Sequence, residues 1–228
     1  MCFSQTVSFG ASVFLVGGGI FAIAKASQIN KRYIPVAMMP LFAGLQQFTE
    51  GAVWMGVNTG DPVTTLWGAM GFIFFTWFMW PFWIPVATYV LEPPESKRRP
   101  YMLAMAIGGL VFGLALYVPH LINPDWVDVS VNQDSLAYEG TMILDYLIPR
   151  PLTYLIYLAL IIVPPAISTY LHMRWFALTL VAVVIVDFMF LRYAYISFFC
   201  LLAGLGTLHL IYIILRNKCA RECPMLFG

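Results

Sequence analysis

Residues 33–57 read YIPVAMMPLFAGLQQFTEGAVWMGV, a stretch in which Glu50 is the one charged side chain. A helix that crosses hydrocarbon needs about 20 mostly apolar residues at about 1.5 Å each. This stretch is long enough, yet it carries Gln46, Gln47 and Glu50 near its middle, with Trp54 one turn on. Spacings of three and four place all four on one helical face. The stretch therefore predicts a membrane span with a polar face turned into protein rather than into lipid.

Working outward, six more stretches have the same length and apolarity. With the first, the seven run approximately Thr6 to Lys25, Tyr33 to Val57, Thr64 to Leu91, Tyr101 to His120, Pro151 to Tyr170, Trp175 to Leu191 and Tyr195 to Leu215. The last two are divided only by the short piece around Arg192, but 41 residues would make about 60 Å of helix, twice a bilayer. They are read as two spans. The whole composition agrees: of 228 residues 61% are hydrophobic and only 10% charged, where soluble domains carry about 25%. A net charge of +1 gives no reason to expect a nucleic-acid partner.

Orientation follows from the distribution of Lys and Arg between short loops. With the N-terminus outside, Lys25, Lys31, Arg32, Lys97, Arg98, Arg99, Arg174, Arg216, Lys218 and Arg221 fall inside, and only Arg150 and Arg192 outside. The expectation is an all-α polytopic membrane protein, a single domain over 1–228: a seven-transmembrane-helix bundle, N-out and C-in, in the cell inner membrane. A cleaved signal is not expected, because Met1 to Gly10 has no positive charge.

Between the fourth and fifth spans, Leu121 to Arg150 is the longest extramembrane piece. Trp126 to Val131 alternates with period two, Asn132-Gln133-Asp134 is turn-like, and Ser135 onward can return as a partner strand, which predicts a short β-hairpin lid. The loop Glu92 to Pro100 reads as a rigid turn whose Lys97, Arg98 and Arg99 contact anionic lipid headgroups. Pro81 and Pro85 predict a kinked third span, and Pro164-Pro165 a kinked fifth. Gly109 and Gly113, like Cys200 and Gly204, have the spacing of close helix packing.

An ionisable side chain at the bilayer centre costs at least about 2.5 kcal/mol, so each is a functional candidate. Glu50, about 10 Å below the outer boundary, must be protonated, paired or metal-bound. The topology brings other polar residues to the same half: His120 at the outer end of the fourth span, Asp187 one turn inside the sixth, Cys200 in the seventh and Cys2 at the chain start. Gln46, Gln47, Glu50, Trp54 and Asp187 are candidate ligand-binding residues. Cys2, Glu50, His120 and Cys200 are candidate metal ligands, and thiolate with imidazole favours copper, zinc or iron. No local spacing such as C-x-x-C links them, and a Cys2 to Cys200 disulfide is an alternative. A hydrogen-bond knot in which the two glutamines hold a neutral Glu50 is the structural alternative. His209 is rotated to the opposite face from Cys200 and reads as a packing or relay residue. Cys219 and Cys223 sit in the basic tail, where palmitoylation or weak metal binding are the options.

Met1-Cys2-Phe3-Ser4, Gln46-Gln47-x-x-Glu50-Gly51-x-x-Trp54, Trp80-Pro81-x-Trp83-x-Pro85 and Cys200 after Ser197 resemble an uncharacterised family of small multi-pass prokaryotic membrane proteins that begin Met-Cys-Phe-Ser. The resemblance covers nearly the whole chain and implies the architecture without an activity. It places Cys2, Gln46, Glu50 and Cys200 in the pattern. If Met1 is removed, Cys2 offers an α-amine and a thiol that together can chelate a metal.

Three functions remain open on these residues. The leading one is binding or transport of a transition-metal ion or small polar solute in the outer half. The second is an intramembrane redox enzyme with a metal or haem. The third is a structural subunit of a larger membrane complex or homo-oligomer. The seven-span, N-out layout resembles alkaline ceramidase-like hydrolases, but His120, His172 and His209 are too far apart by topology to share their zinc. No phosphate-binding glycine motif is present, since Gly17-Gly18-Gly19 lies inside the first span.

Overall fold

The computed structural model describes residues 4–132 and 135–190 together with Gly204, Gly206 and Thr207, without the side chains of Asn132, Glu139 and residues 187–190. Helix α1 (Gln5–Ile29) is followed by a 3-10 turn (Lys31–Tyr33) and the short α2 (Ile34–Ala37), then α3 (Met39–Thr59). A third long helix begins as α4 (Pro62–Ile73), passes through a π-helical segment (Phe74–Met79) and continues as α5 (Trp80–Leu91). Then come α6 (Arg99–Ile122), strands β1 (Val127–Asn132) and β2 (Ser135–Gly140), α7 (Arg150–Ala166) and α8 (Leu171–Phe190).

Among the described residues three helices are long and apolar enough to cross a membrane: Gln5–Ile29, Pro62–Leu91 and Arg99–Ile122. The polar trio lowers the apolarity of α3, although its 21 residues have the length. The described part of the expected seventh stretch is confined to Gly204, Gly206 and Thr207, where Gly204 packs against Ala43 of α3 and Leu15 of α1. The chain is thus mostly helical with one small two-stranded sheet.

Local chemistry explains the turns. Gly60 ends α3 in the left-handed conformation, φ 67°, which a side chain would strain. Asp61 then caps α4 by accepting from Val63 N at 3.0 Å, and Pro62 takes the first helical position, where its missing N–H costs nothing. Two residues suffice to reverse the chain, so α3 and α4 run antiparallel, with a Cβ on Gly68 coming 2.8 Å from Val53 N.

The π-helical segment precedes Pro81 and Pro85, which cannot donate to the carbonyls one turn before them. Pro85 leaves the Pro81 carbonyl without its i−4 donor, and α6 meets it with Gly109, where any Cβ would overlap that oxygen. Close approach is therefore permitted by glycine, as the spacing of Gly109 and Gly113 suggests. Pro164 and Pro165 stand inside α7 in its last turn, and the helix ends at Ala166 with Ile167 N bonded to Val163 O.

Among the described residues two large buried apolar clusters form, beside a small one of Ala22, Ala26 and Ala37. One contains Trp80, Ile84 and Leu91 of α5 with Ile161 of α7 and Phe176 of α8. The other contains Val53 and Trp54 of α3, Phe72 and Trp77, Leu116 of α6, and Leu136 and Tyr138 of the hairpin. The strands pair from Val127 with Gly140 to Asn132 with Ser135, as the alternation predicts. Tyr138 stacks on Phe72 with ring centroids 4.4 Å apart, seating the hairpin on one end of the bundle. Arg150 fastens its base, pairing with Asp145 and donating to Gly140 O at 3.0 Å.

Candidate functional site

Between the two apolar clusters lies a polar layer. Gln46, Gln47 and Glu50 are all buried, with Glu50 at 0% exposure. They are enclosed because the face they share on α3 is turned into the bundle. Gln47 Nε2 donates to Glu50 Oε2 at 3.1 Å, a one-turn pair along the helix. Gln46 reaches across to the third helix instead: its Nε2 donates to Thr76 Oγ1 at 2.8 Å, and its Oε1 accepts from Trp80 Nε1 at 2.7 Å. Thr76 in turn donates to Phe72 O at 3.1 Å.

Thr76 lies in the π-helical segment and Trp80 is its first α-helical successor, so the irregular backbone and the polar layer coincide. π-Helical turns occur often at functional sites because they re-aim the residues beyond them. Sequence reasoning missed Thr76, a single hydroxyl within an aromatic run. Its one usable signal was polarity inside an otherwise apolar span.

Trp54 is buried against the hairpin-end cluster, and its indole N–H has no partner among the described residues. His120 is buried too. Its Nδ1 donates to Leu116 O at 2.8 Å. Its Nε2 is buried against the Gly140–Thr141 backbone. The ring itself is flanked by Trp77, centroids 4.6 Å apart, and Trp126, 6.1 Å apart.

Of the other expected ligands, Cys2 and Cys200 lie outside the described residues. Asp187 lies in α8, with its side chain outside them as well. His209, Cys219 and Cys223 are also outside. Among the described residues no three His, Cys, Asp or Glu side chains converge as a metal cluster. The layer brings together Gln46, Gln47 and Glu50 with Thr76 and Trp80, while His120 is held beneath the hairpin.

A second buried carboxylate was missed altogether. Glu92, 1% exposed, directly follows α5 and accepts from Ser96 Oγ at 2.6 Å, Ser168 Oγ at 3.0 Å, Thr169 N at 3.0 Å and Thr169 Oγ1. Burial works against its charge, but the hydrogen bonds from Ser96, Thr169 and Ser168 outweigh it and hold its pKa below the ordinary value. The result is a tie between the α5–α6 and α7–α8 turns.

No curated protein and no solved structure matches this chain. The expectation of an uncharacterised family is met over almost the full length, because residues 1–224 match the model of one such family. The chain accordingly belongs to a family of unknown function (DUF6629).

Proposed function

We propose that the chain is a seven-span inner-membrane protein, N-out and C-in, that binds or transports a transition-metal ion or small polar solute at a site centred on Glu50. The observation that carries this reading is a fully enclosed carboxyl between two apolar clusters, with two glutamines beside it. Enclosing a carboxyl and two amides carries a desolvation cost that their hydrogen bonds have to offset, and an ionisable group at such depth is a functional candidate. Copper, zinc or iron is the metal class that the expected ligands Glu50, His120, Cys2 and Cys200 would suit. The contact of Gly204 with Ala43 supports a seventh span beside α3, four residues from Cys200 in sequence.

Elemental analysis and an absorption spectrum of protein purified in detergent without chelators test this directly. The expected result is bound metal that is lost in Glu50→Gln and in Cys2→Ser. Full retention of metal and of solute uptake in both variants overturns it, and a haem spectrum would replace it with the redox reading.

A second reading is favoured by one observation. The Gln46 amide is satisfied on both sides by Thr76 and Trp80, as a structural knot between helices would be. In that case the chain is a subunit of a larger membrane assembly. Native mass spectrometry would then show a co-purifying partner, and a bare monomer speaks against it.

A further inference from the structure

The bundle end opposite the hairpin holds a cluster independent of the Glu50 layer. There Glu92 is satisfied by hydroxyls and a backbone N–H, so it is not the salt-bridge partner of any neighbouring arginine. Two arginines from different turns instead meet at one carbonyl. Arg98 Nη1 donates to Ser168 O at 3.3 Å, and Arg174 Nε donates to the same oxygen at 2.7 Å. Among the described residues neither has a carboxylate within ion-pair distance.

Two like charges converging on one acceptor repel unless a third, negative group lies between them. Each fork still has N–H groups to offer, because the shared carbonyl engages only one nitrogen of each side chain. Arg98 is exposed and Arg174 half-buried, so the open sides of both forks are reachable from the surface. An anion with several oxygens suits two such forks, and phosphate is the common one.

Position selects the source of the phosphate. Arg98 immediately precedes α6, and Glu92 immediately follows the long helix Pro62–Leu91, both apolar enough to cross a membrane. The clamp therefore stands at the level where hydrocarbon gives way to headgroups. Tyr101 and Trp175, beside the two arginines in sequence, are 66% and 54% exposed, the usage expected of aromatic side chains at a membrane interface.

We propose that Arg98 and Arg174 form a clamp for the phosphate of an anionic phospholipid headgroup. This differs from a diffuse basic loop, because one fork comes from the α5–α6 turn and the other from the start of α8. It rests on the membrane-spanning reading, which detergent extraction of the chain from membranes tests separately, and it is independent of any ligand at Glu50.

The test is titration of the full chain in detergent with dioleoyl phosphatidylglycerol, read by native mass spectrometry against dioleoyl phosphatidylcholine. Preferential binding of the anionic lipid is expected, weakened about thirtyfold in Arg98→Gln/Arg174→Gln. The control Lys25→Gln/Lys31→Gln removes the same charge outside the Glu92–Pro100 loop and keeps wild-type affinity. Arg98→Lys/Arg174→Lys retains charge without the forks and loses most of the affinity, which keeps the test informative if the glutamine variant does not fold. Equal loss in the control overturns the clamp in favour of diffuse attraction. Inorganic phosphate that binds as tightly as the lipid overturns the lipid assignment. Wild-type affinity no greater than that of the glutamine variant also overturns it, as when a carboxylate from residues 191–228 fills the clamp.

Discussion

Two buried carboxylates, Glu50 and Glu92, are set in opposite ways. Glu92 stands just outside a long helix and draws its donors from Ser96 in its own turn and from a turn 76 and 77 residues away, where hydroxyls and an N–H are free of helical bonding. Glu50 stands inside α3, where backbone donors are consumed by the helix, and its amide partner Gln47 belongs to the same helix. One carboxylate joins two distant segments of chain, so removing it should loosen the fold. The other is hydrogen-bonded to Gln47 of its own helix, a pair that ties no second segment of chain.

The comparison breaks most easily at Glu92. Glu92→Ala leaves Ser168 and Thr169 donors unpaired and is expected to cost about 3 kcal/mol, near 10 °C in melting temperature for a chain of this size. Because the folded pKa of Glu92 is lowered, its contribution is complete above the unfolded value of 4.5 and lost as pH falls through the folded value. Melting of wild type and variant followed from neutral pH into that acid range should therefore converge. A constant gap would mean that the carboxylate charge is not what holds the turns.

Gln46→Leu is the intermediate case. It strands the Trp80 indole N–H and removes one partner of Thr76, for an expected loss of about 2 kcal/mol by thermal melting. Glu50→Gln keeps the side chain's shape and its acceptor for Gln47, so by thermal melting it is expected to cost less than Gln46→Leu. A larger loss at Glu50 than at Gln46 would reverse the assignment of which residue is structural. The smallest effect belongs to Arg150→Gln at the hairpin base, about 0.5 kcal/mol, because exposed ion pairs contribute little. Limited proteolysis of the hairpin is the sensitive measurement there, and unchanged cleavage would show that Tyr138 on Phe72 suffices to seat it.

The legibility of these features in the sequence depends on their range. Helix lengths and the polar face of α3 depend on spacing within one element, so they could be read. The hairpin also could, because Trp126 to Val131 alternates and the turn lies beside it. Glu92 could not, since nothing in Glu92–Pro100 indicates that Ser168 and Thr169 fold against it. Thr76 was hidden for a similar reason: its significance comes from Gln46, on another helix. Pro164-Pro165 shows a limit of the same kind, because a proline pair can lie inside a helix or near its end, and the choice lies with the residues beyond the pair. Here the chain turns into α8 within a few residues, so the helix stops.

The π-helical segment has a consequence for phase. Relative to an α-helix it inserts a residue, and each residue turns an α-helix by about 100°. The halves of Pro62–Leu91 are thus set at independent angles: α4 offers Phe72 to Tyr138, while α5 offers Trp80 to Gln46 and the Pro81 carbonyl to Gly109. Regularising Phe74–Met79 to α-helix would rotate one half against the other like a dial moved by one division. Every contact of α5 would then be misaligned while those of α4 stayed in register.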